Sequence, residues 1–240
     1  MVTHKLRHYV RFLRNTPLHP QWLLKERRHV EEWIAKKPSR VLLDIRCADR
    51  WLEALLSNDC YYIGLDYLET GRRLYGARPD LFADASNLPI ADSSIDAVAL
   101  LEVLEHLENP RDALREIARV LEPGGRLLVT VPFLYPIHDA PYDYQRFTRH
   151  GLEREMKATG LRLEGIETTL GAAESAGLIA NLALGGMAVE AISRRSPAVL
   201  FLPLIVIAMP AMNLLAWISN RLLPSWPALT SGYILMARKP

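Results

Sequence analysis

Residues 41–66 read VLLDIRCADRWLEALLSNDCYYIGLD. Val41–Ile45 is an apolar run of strand length, and a short polar loop follows it. Residues 50–57 have the apolar spacing of a helix, and Tyr61–Asp66 is a second apolar run. The alternation continues outwards from this unit. Strands are expected at Leu81–Ala83, Ile95–Leu101 and Arg126–Val131, and helices over residues 68–75, 110–121 and 149–159. Pro110 suits the first turn of a helix, while Pro123-Gly124-Gly125 ends that helix and turns into the next strand. Leu161–Thr168 reads as a sixth strand and Gly232–Arg238 as a seventh. Such a succession specifies an α/β fold: a parallel, doubly wound sheet with helices on both faces. Upstream, Trp22/Leu23, Val30 and Trp33/Ile34 recur at helical spacing, so residues 20–37 read as an amphipathic helix ending at Pro38.

The chain has 240 residues, which suits one α/β domain with an insert, and a net charge of +2. That balance gives no reason to expect nucleic acid as a partner. The distribution is uneven, because residues 1–40 carry ten Lys and Arg against Glu26, Glu31 and Glu32. Cys47 and Cys60 make neither a ligand cluster nor a disulfide framework and fit a reducing cytosol. The first residues lack the apolar core of a secretory signal.

Residues 171–227 contain few charges: Glu174, Glu190, Arg194, Arg195 and Arg221. Within them, Ala198–Ile218 is an uncharged run long enough to cross a bilayer. Pro203 and Pro210 interrupt it, which membrane helices tolerate. A single crossing would leave the last strand on the wrong side of the membrane from its sheet. If Gly232–Arg238 pairs in the sheet, the crossings are even in number or absent. A two-span hairpin would use Ala176–Val189 as its other limb, which is short, and would put Arg194 and Arg195 outside. A re-entrant or interfacial hairpin bent near Pro210 fits better, with Asn213 at a protected or shallow site. The basic amino-terminal segment adds attraction to anionic lipid on the cytoplasmic face. A soluble lid or a homodimer face is the alternative use of so much apolar surface. The chain thus divides into a basic helical segment (1–38), a core (39–170), an apolar helical insert (171–227) and a final core strand (228–240).

In open α/β sheets the ligand sits beyond the carboxyl ends of the strands. Asp66 ends the second strand roughly 20 residues beyond the first loop, where an acid can accept from both ribose hydroxyls. Asp84, in ADASNLP, ends the third and could accept from an exocyclic amine. Either alone could equally be a strand-end turn aspartate. No residues have metal-ligand spacing, and no metal is expected.

The blocks VLLDIRCADR, YYIGLD, ADASNLPIADSSIDAV, LLEVLEHLENP, REIARVLEPGGRLLVTVP and GYILMARKP, in that order, resemble the type 11 family of class I S-adenosylmethionine-dependent methyltransferases. The resemblance covers about residues 39–168 and 232–240. It implies a seven-stranded Rossmann-like sheet whose last strand is antiparallel and inserted beside the fifth. It also implies S-adenosylmethionine as cofactor. The loop 44–50, with Asp44, Arg46 and Ala48, would meet the methionine part; Asp66 would hold the ribose, and Asp84 with Ala85 the adenine. Glu102 would face the cofactor from the end of the fourth strand. The family places glycines at alternate positions of the first loop, where this chain has Arg46, Ala48 and Arg50. Glycine suits those positions because the backbone approaches the ligand and needs a free choice of φ. Arg46 is therefore expected to turn from the sulfonium, toward the cofactor carboxylate or a neighbouring acid, Asp44 or Glu102.

After the fifth strand comes PFLYPIHDAPYDYQRFTRHGLEREM, which resembles the acceptor loop of methyltransferases of surface-glycan and lipid-linked sugar biosynthesis. His138, Asp139, Tyr142, Asp143, Tyr144 and Arg146 fall within it. Methyl transfer is an in-line displacement needing alignment and, for a hydroxyl acceptor, a base. His106 and His138 are the candidate bases. Asp139, Tyr142, Asp143, Tyr144 and Arg146 are the candidate acceptor contacts, since Arg suits phosphate. The expected function is methyl transfer to a hydroxyl or similar group of a glycan or lipid-linked acceptor at a membrane. The alternative is a non-catalytic methyltransferase-like binding module, in which Arg46 blocks the loop. A dinucleotide-dependent oxidoreductase is distant, because the first loop lacks G-x-G-x-x-G.

Overall fold

A computed structural model describes residues 13–24, 26–71 and 78–240. Residues 1–12, with the basic side chains Lys5, Arg7 and Arg11, lie outside it, as do Lys25 and residues 72–77, which include 72–75 of the expected helix 68–75. The elements in order are α1 (Glu26–Lys36), β1 (Val41–Ile45), β2 (Tyr61–Asp66), a short helical turn α2 (Leu68–Thr70), β3 (Leu81–Phe82), β4 (Ile95–Leu101), α3 (Pro110–Val120), β5 (Leu121–Pro132), α4 (Arg149–Ala158), β6 (Arg162–Thr168), α5 (Ala172–Ser193), α6 (Leu202–Leu222) and β7 (Gly232–Arg238). The seven strands form one sheet in the order β3-β2-β1-β4-β5-β7-β6. The pairs β1–β2, β1–β4, β2–β3 and β4–β5 are parallel. β7 is antiparallel to its neighbours: Lys239 donates to Gly125 at the start of β5, and Thr169 after β6 donates to Gly232.

Alternation along the strands builds the core on both faces. Leu43, Ile45, Val98, Leu100, Leu127, Val129 and Leu235 point to one face, where Leu114 and Ile117 of α3 and Leu152 and Met156 of α4 cover them. Leu42, Ala97, Ala99, Leu128 and Ile234 point to the other, under Val30 and Trp33 of α1. Pro110 opens α3, and its buried residues Ala113, Leu114, Ile117 and Val120 recur at helical spacing. Arg111 clamps Glu155 through two bonds of 2.7 and 2.9 Å, tying α3 to α4.

Four local expectations change. Residues 50–57 form only a 3₁₀ turn at Glu53–Leu55, because Arg50 has a left-handed φ that cannot start a helix. The helix expected over residues 20–37 begins at Glu26. The turns before it place Leu23 and Trp22 in another cluster, with Leu170, Leu178 and Ala216. Pro123-Gly124-Gly125 lies inside β5 as an irregularity that shifts register between Ile95 and Ala97, with Gly124 at φ 79°. The third strand stops at Phe82.

The chain packs as two compact units. The larger holds Glu26–Phe133, Ile137–Glu167 and Tyr233–Pro240, and so contains the sheet and α1 to α4. Of the described residues, the smaller comprises 13–24, Leu134–Pro136 and Thr168–Gly232. Its centre is the α5–α6 hairpin. α5 runs 22 residues, well beyond the expected limb 176–189, and α6 runs 21 residues as one helix through Pro210. Pro203 sits in the first turn of α6, where its missing N–H costs nothing. Gly177 lets the helices meet closely, since a Cβ there would lie 2.8 Å from that of Ala216. Asn181 donates to Asn213 at 2.8 Å, and Asn213 donates to the carbonyls of Pro17 and His19. The remaining faces are apolar and open: Leu200, Leu204, Val206, Ile207, Leu215 and Leu222 are all exposed.

Candidate active site

The loop after β1 has the conformation of a glycine loop without its glycines. Arg46, Ala48 and Arg50 all have positive φ, at 65°, 45° and 57°. An L-residue in that region carries a penalty of about 1–2 kcal/mol. Hydrogen bonds hold the loop there. The amides of Arg46 and Cys47 donate to Leu65 O at 2.7 and 3.0 Å, and Ala48 N donates to Asp66 Oδ2 at 3.2 Å. Asp66 also accepts from Tyr67 N at 2.8 Å and is fully buried; burial raises its pKa against those two bonds. Gly71 leaves the room, for a Cβ there would meet Asp66 Cγ at 2.6 Å. Ala48→Gly should therefore stabilise the chain by about 0.5–1 kcal/mol in urea unfolding, since it relieves φ and removes only a methyl group.

The two arginines leave the loop in different directions. Arg50 reaches out to Glu53 and to Asp80 at 3.0 Å, with its guanidinium over the Tyr62 ring. Arg46 donates to Glu102 O at 3.1 Å and to Asp139 Oδ2 at 2.8 Å. A carboxylate on Arg46 is Asp139, from the loop after β5. Asp44 faces Tyr62, whose hydroxyl donates to it at 2.7 Å, and Glu102 gives Arg46 its carbonyl oxygen. The Arg46–Asp139 pair is largely buried, with side chains 12% and 14% exposed, and it joins the first loop to the acceptor loop. Burial pushes Asp44 up to about 7 and the neighbouring Cys47 thiol up to about 12. Asp84 is exposed and closes a turn by accepting from Ser86 N at 2.8 Å, beside buried Ala85. Glu102 has a φ of 55° at the end of β4 and is anchored through its amide to Thr130 O.

Across the strand ends, the two candidate bases come together. The rings of His106 and His138 meet edge to face with centroids 4.9 Å apart. His106 lies in a 3₁₀ turn over Leu104–His106, and its Nδ1 is 2.8 Å from Tyr142 O. Burial, then the Arg46 charge, holds its pKa below the usual value, so the ring is neutral near pH 7. His138 has Nδ1 3.3 Å from Asp143 Oδ2. Asp143 is buried and also takes Arg146, whose guanidinium pulls it down to about 2. Asp143 and Arg146 therefore brace the loop around His138. Tyr142 and Tyr144 lie further out, their hydroxyls donating to Glu69 and Glu108 at 3.2 Å each. One further residue, Glu105, belongs to this site without any signal in the sequence. It is fully buried beneath both imidazoles, with Oε1 3.4 Å from His106 Nε2 and 3.7 Å from His138 Nε2. His138 comes from a different loop, at no recognisable motif spacing from Glu105.

These residues fit S-adenosylmethionine in kind. A buried acid ends β2, an acid and a small residue end β3, and the first loop keeps a left-handed path with Arg46 drawn aside.

Residues 43–129 match the family described as "Methyltransferase domain". An O-methyltransferase of Aspergillus nomiae is 50% identical over 54 residues, 22% of this chain and 24% of that protein. A demethylmenaquinone methyltransferase of Renibacterium salmoninarum is 33% identical over 111 residues, 43% of this chain and 46% of that protein. The chain thus spans less than half the length of these curated relatives. The crystal structure of a SAM-dependent methyltransferase from Archaeoglobus fulgidus superposes over 89% of this chain and 94% of its own, with a TM-score of 0.53 and 18% identity. The chain has the fold of the class I methyltransferases, and its residues 43–129 match their methyltransferase domain.

Proposed function

We propose that the chain transfers a methyl group from S-adenosylmethionine to a hydroxyl or similar group of a glycan or lipid-linked acceptor at a membrane surface. One observation carries the reading: three alternate residues of the first loop, none of them glycine, keep the left-handed backbone of a cofactor loop. A chain freed from cofactor binding has no reason to hold that costly geometry. The cofactor supplies an electrophilic methyl on a sulfonium. Asp66 and Asp84 hold its ribose and adenine. Arg46 keeps its charge on Asp139, away from the sulfonium. Tyr142 and Tyr144 bind the acceptor, which Arg146 and Asp143 position through the loop. The acceptor oxygen gives up its proton at the cluster of His106, His138 and Glu105. Neutral His106 is ready to accept one.

Calorimetric titration with S-adenosylmethionine tests the reading. The native chain should bind at sub-millimolar concentration, and Arg46→Gly with Ala48→Gly should change the affinity by at most about tenfold, roughly 1.4 kcal/mol. If the native chain is silent at millimolar cofactor and the double variant binds, the chain is a binding module with a closed loop.

The membrane part rests on the hairpin. Ala172–Ser193 and Pro197–Leu222 are both long and apolar enough to cross a bilayer. Arg194 and Arg195 at the tip favour a hairpin lying in the interface on the cytoplasmic face over two full crossings. A second copy of the chain packed on the hairpin would cover the same surface. The full chain should float with anionic liposomes, and a chain with residues 172–227 replaced by a short linker should stay in solution as a folded core. A native chain that is monomeric and soluble without detergent or lipid would end the membrane reading.

A further inference from the structure

Among the described residues, none donates a hydrogen bond to either carboxylate oxygen of Glu105, although the side chain is fully buried. A buried carboxylate in that state is strongly unfavourable unless a cation or donor meets it. What meets it is two imidazoles. The Nδ1 of His106 faces the carbonyl oxygen of Tyr142, which can only accept, so Nδ1 carries the hydrogen. In a neutral ring the Nε2 lone pair then faces Glu105, and two acceptors oppose each other at 3.4 Å. His138 repeats the arrangement, with Nδ1 on the Asp143 carboxylate and Nε2 toward Glu105 at 3.7 Å. An acceptor behind each ring is how proteins orient metal-binding histidines, and Glu105 lies in front of both. One ligand atom from each of Glu105, His106 and His138 lies within 4.8 Å of the others. For bonds of about 2.0–2.2 Å, tetrahedral ligand atoms stand about 3.3 Å apart, so the site needs only a small closure. The nearby cations are already engaged, Arg46 on Asp139 and Arg146 on Asp143.

We propose that Glu105, His106 and His138 hold one divalent transition-metal ion of the zinc class, with coordination positions left for water or an acceptor oxygen. Two imidazoles and one carboxylate select such ions over magnesium and calcium, which prefer all-oxygen shells. The role of the ion rests on the methyl-transfer reading; its binding does not. When bound, the ion occupies the ring nitrogens and lowers the pKa of a coordinated hydroxyl in their place, the proton leaving to water.

The test uses the untagged full chain, stripped with chelator and titrated with cobalt(II) and with zinc(II). The expected result is one equivalent of cobalt with visible absorption bands, displaced by one equivalent of zinc. His138→Gln, at a loop position 21% exposed, should weaken binding at least hundredfold, as should Glu105→Gln. His150→Gln, on the exposed start of α4, should leave it unchanged. Absence of a stoichiometric cobalt spectrum, or equal affinity in the native and His138→Gln chains, overturns the proposal. Cofactor binding without metal binding would defeat the metal site alone. Metal binding without cofactor binding would defeat the methyl-transfer reading and leave the metal site standing.

Discussion

Replacing His138 by alanine lowers methyl transfer by about 10²- to 10⁴-fold while S-adenosylmethionine affinity stays within about threefold, and His106→Ala does the same. The two rings sit at the strand ends beside the acceptor loop, whereas the acids assigned to the cofactor lie at the ends of β2 and β3. Asp66→Ala shows the reverse pattern and weakens the cofactor first. Equal loss of cofactor affinity in both groups would defeat this division of labour. The pH profile gives a further check. Burial and Arg46 lower the His106 pKa below 6.5, so the neutral ring persists into mild acid. In the chain stripped of metal, turnover should fall only below pH 6.5, as the ring takes up a proton. A folded pKa below the unfolded one also means that this stability contribution is lost over the same acidic window. Arg46→Ala removes a charge that lowers the His106 pKa, so the acid limb should move to higher pH.

Asp44→Asn raises unfolding stability at pH 8 by about 2 kcal/mol and has little effect at pH 4. Burial raises the Asp44 carboxyl to about 7, with Asp66 adding to the rise and the Tyr62 hydrogen bond opposing it. The folded state therefore binds the proton more tightly than the unfolded one. That contribution is present at low pH and is lost as pH rises from about 4 to about 7. The shift corresponds to at most about 4 kcal/mol, and imperfect pairing of the new amide takes back part of it. Urea unfolding of both chains at pH 4 and pH 8 measures the difference. Equal stability at pH 8 would show that Asp44 is solvated or paired there. If Asp44 serves the cofactor, the more stable variant binds it less well.

The sheet is legible in the sequence because each central strand is an apolar run bounded by a loop, and the helices between them carry their own spacing. Short segments where one backbone angle decides are not. Residues 50–57 have apolar spacing, but the left-handed Arg50 allows only Glu53–Leu55 to turn. Asp44 and Glu102 are the partners that the sequence suggests for Arg46, because both end strands beside it. Asp139 lies 93 residues away and reaches Arg46 only through the path of the loop after β5. Glu105 has the look of a surface position in a charged EVLEHLENP segment, and its burial depends on the acceptor loop folding over it. Side-chain pairings across loops have no periodicity to read. The first limb of the hairpin reads short because α5 is rich in Gly and Ala, so its apolar signal is diluted at both ends.

The position of β7 has a consequence for biosynthesis. This strand lies between β5 and β6 in the sheet, yet of the seven strands it is made last. Everything from Ala172 to Ser231, the whole hairpin included, must leave the ribosome first. At about 5–20 residues per second, that leaves β5 with an open flank and β6 with no neighbour for about 3–12 s. During this interval the nascent chain exposes both an unfinished sheet edge and an apolar helix pair, each a template for aggregation. Early capture of the hairpin by lipid or a holdase would remove one of those hazards before the core closes. Slowing translation just after residue 231 should therefore lower the yield of native protein more than slowing it elsewhere, and supplying liposomes during synthesis should restore part of that yield.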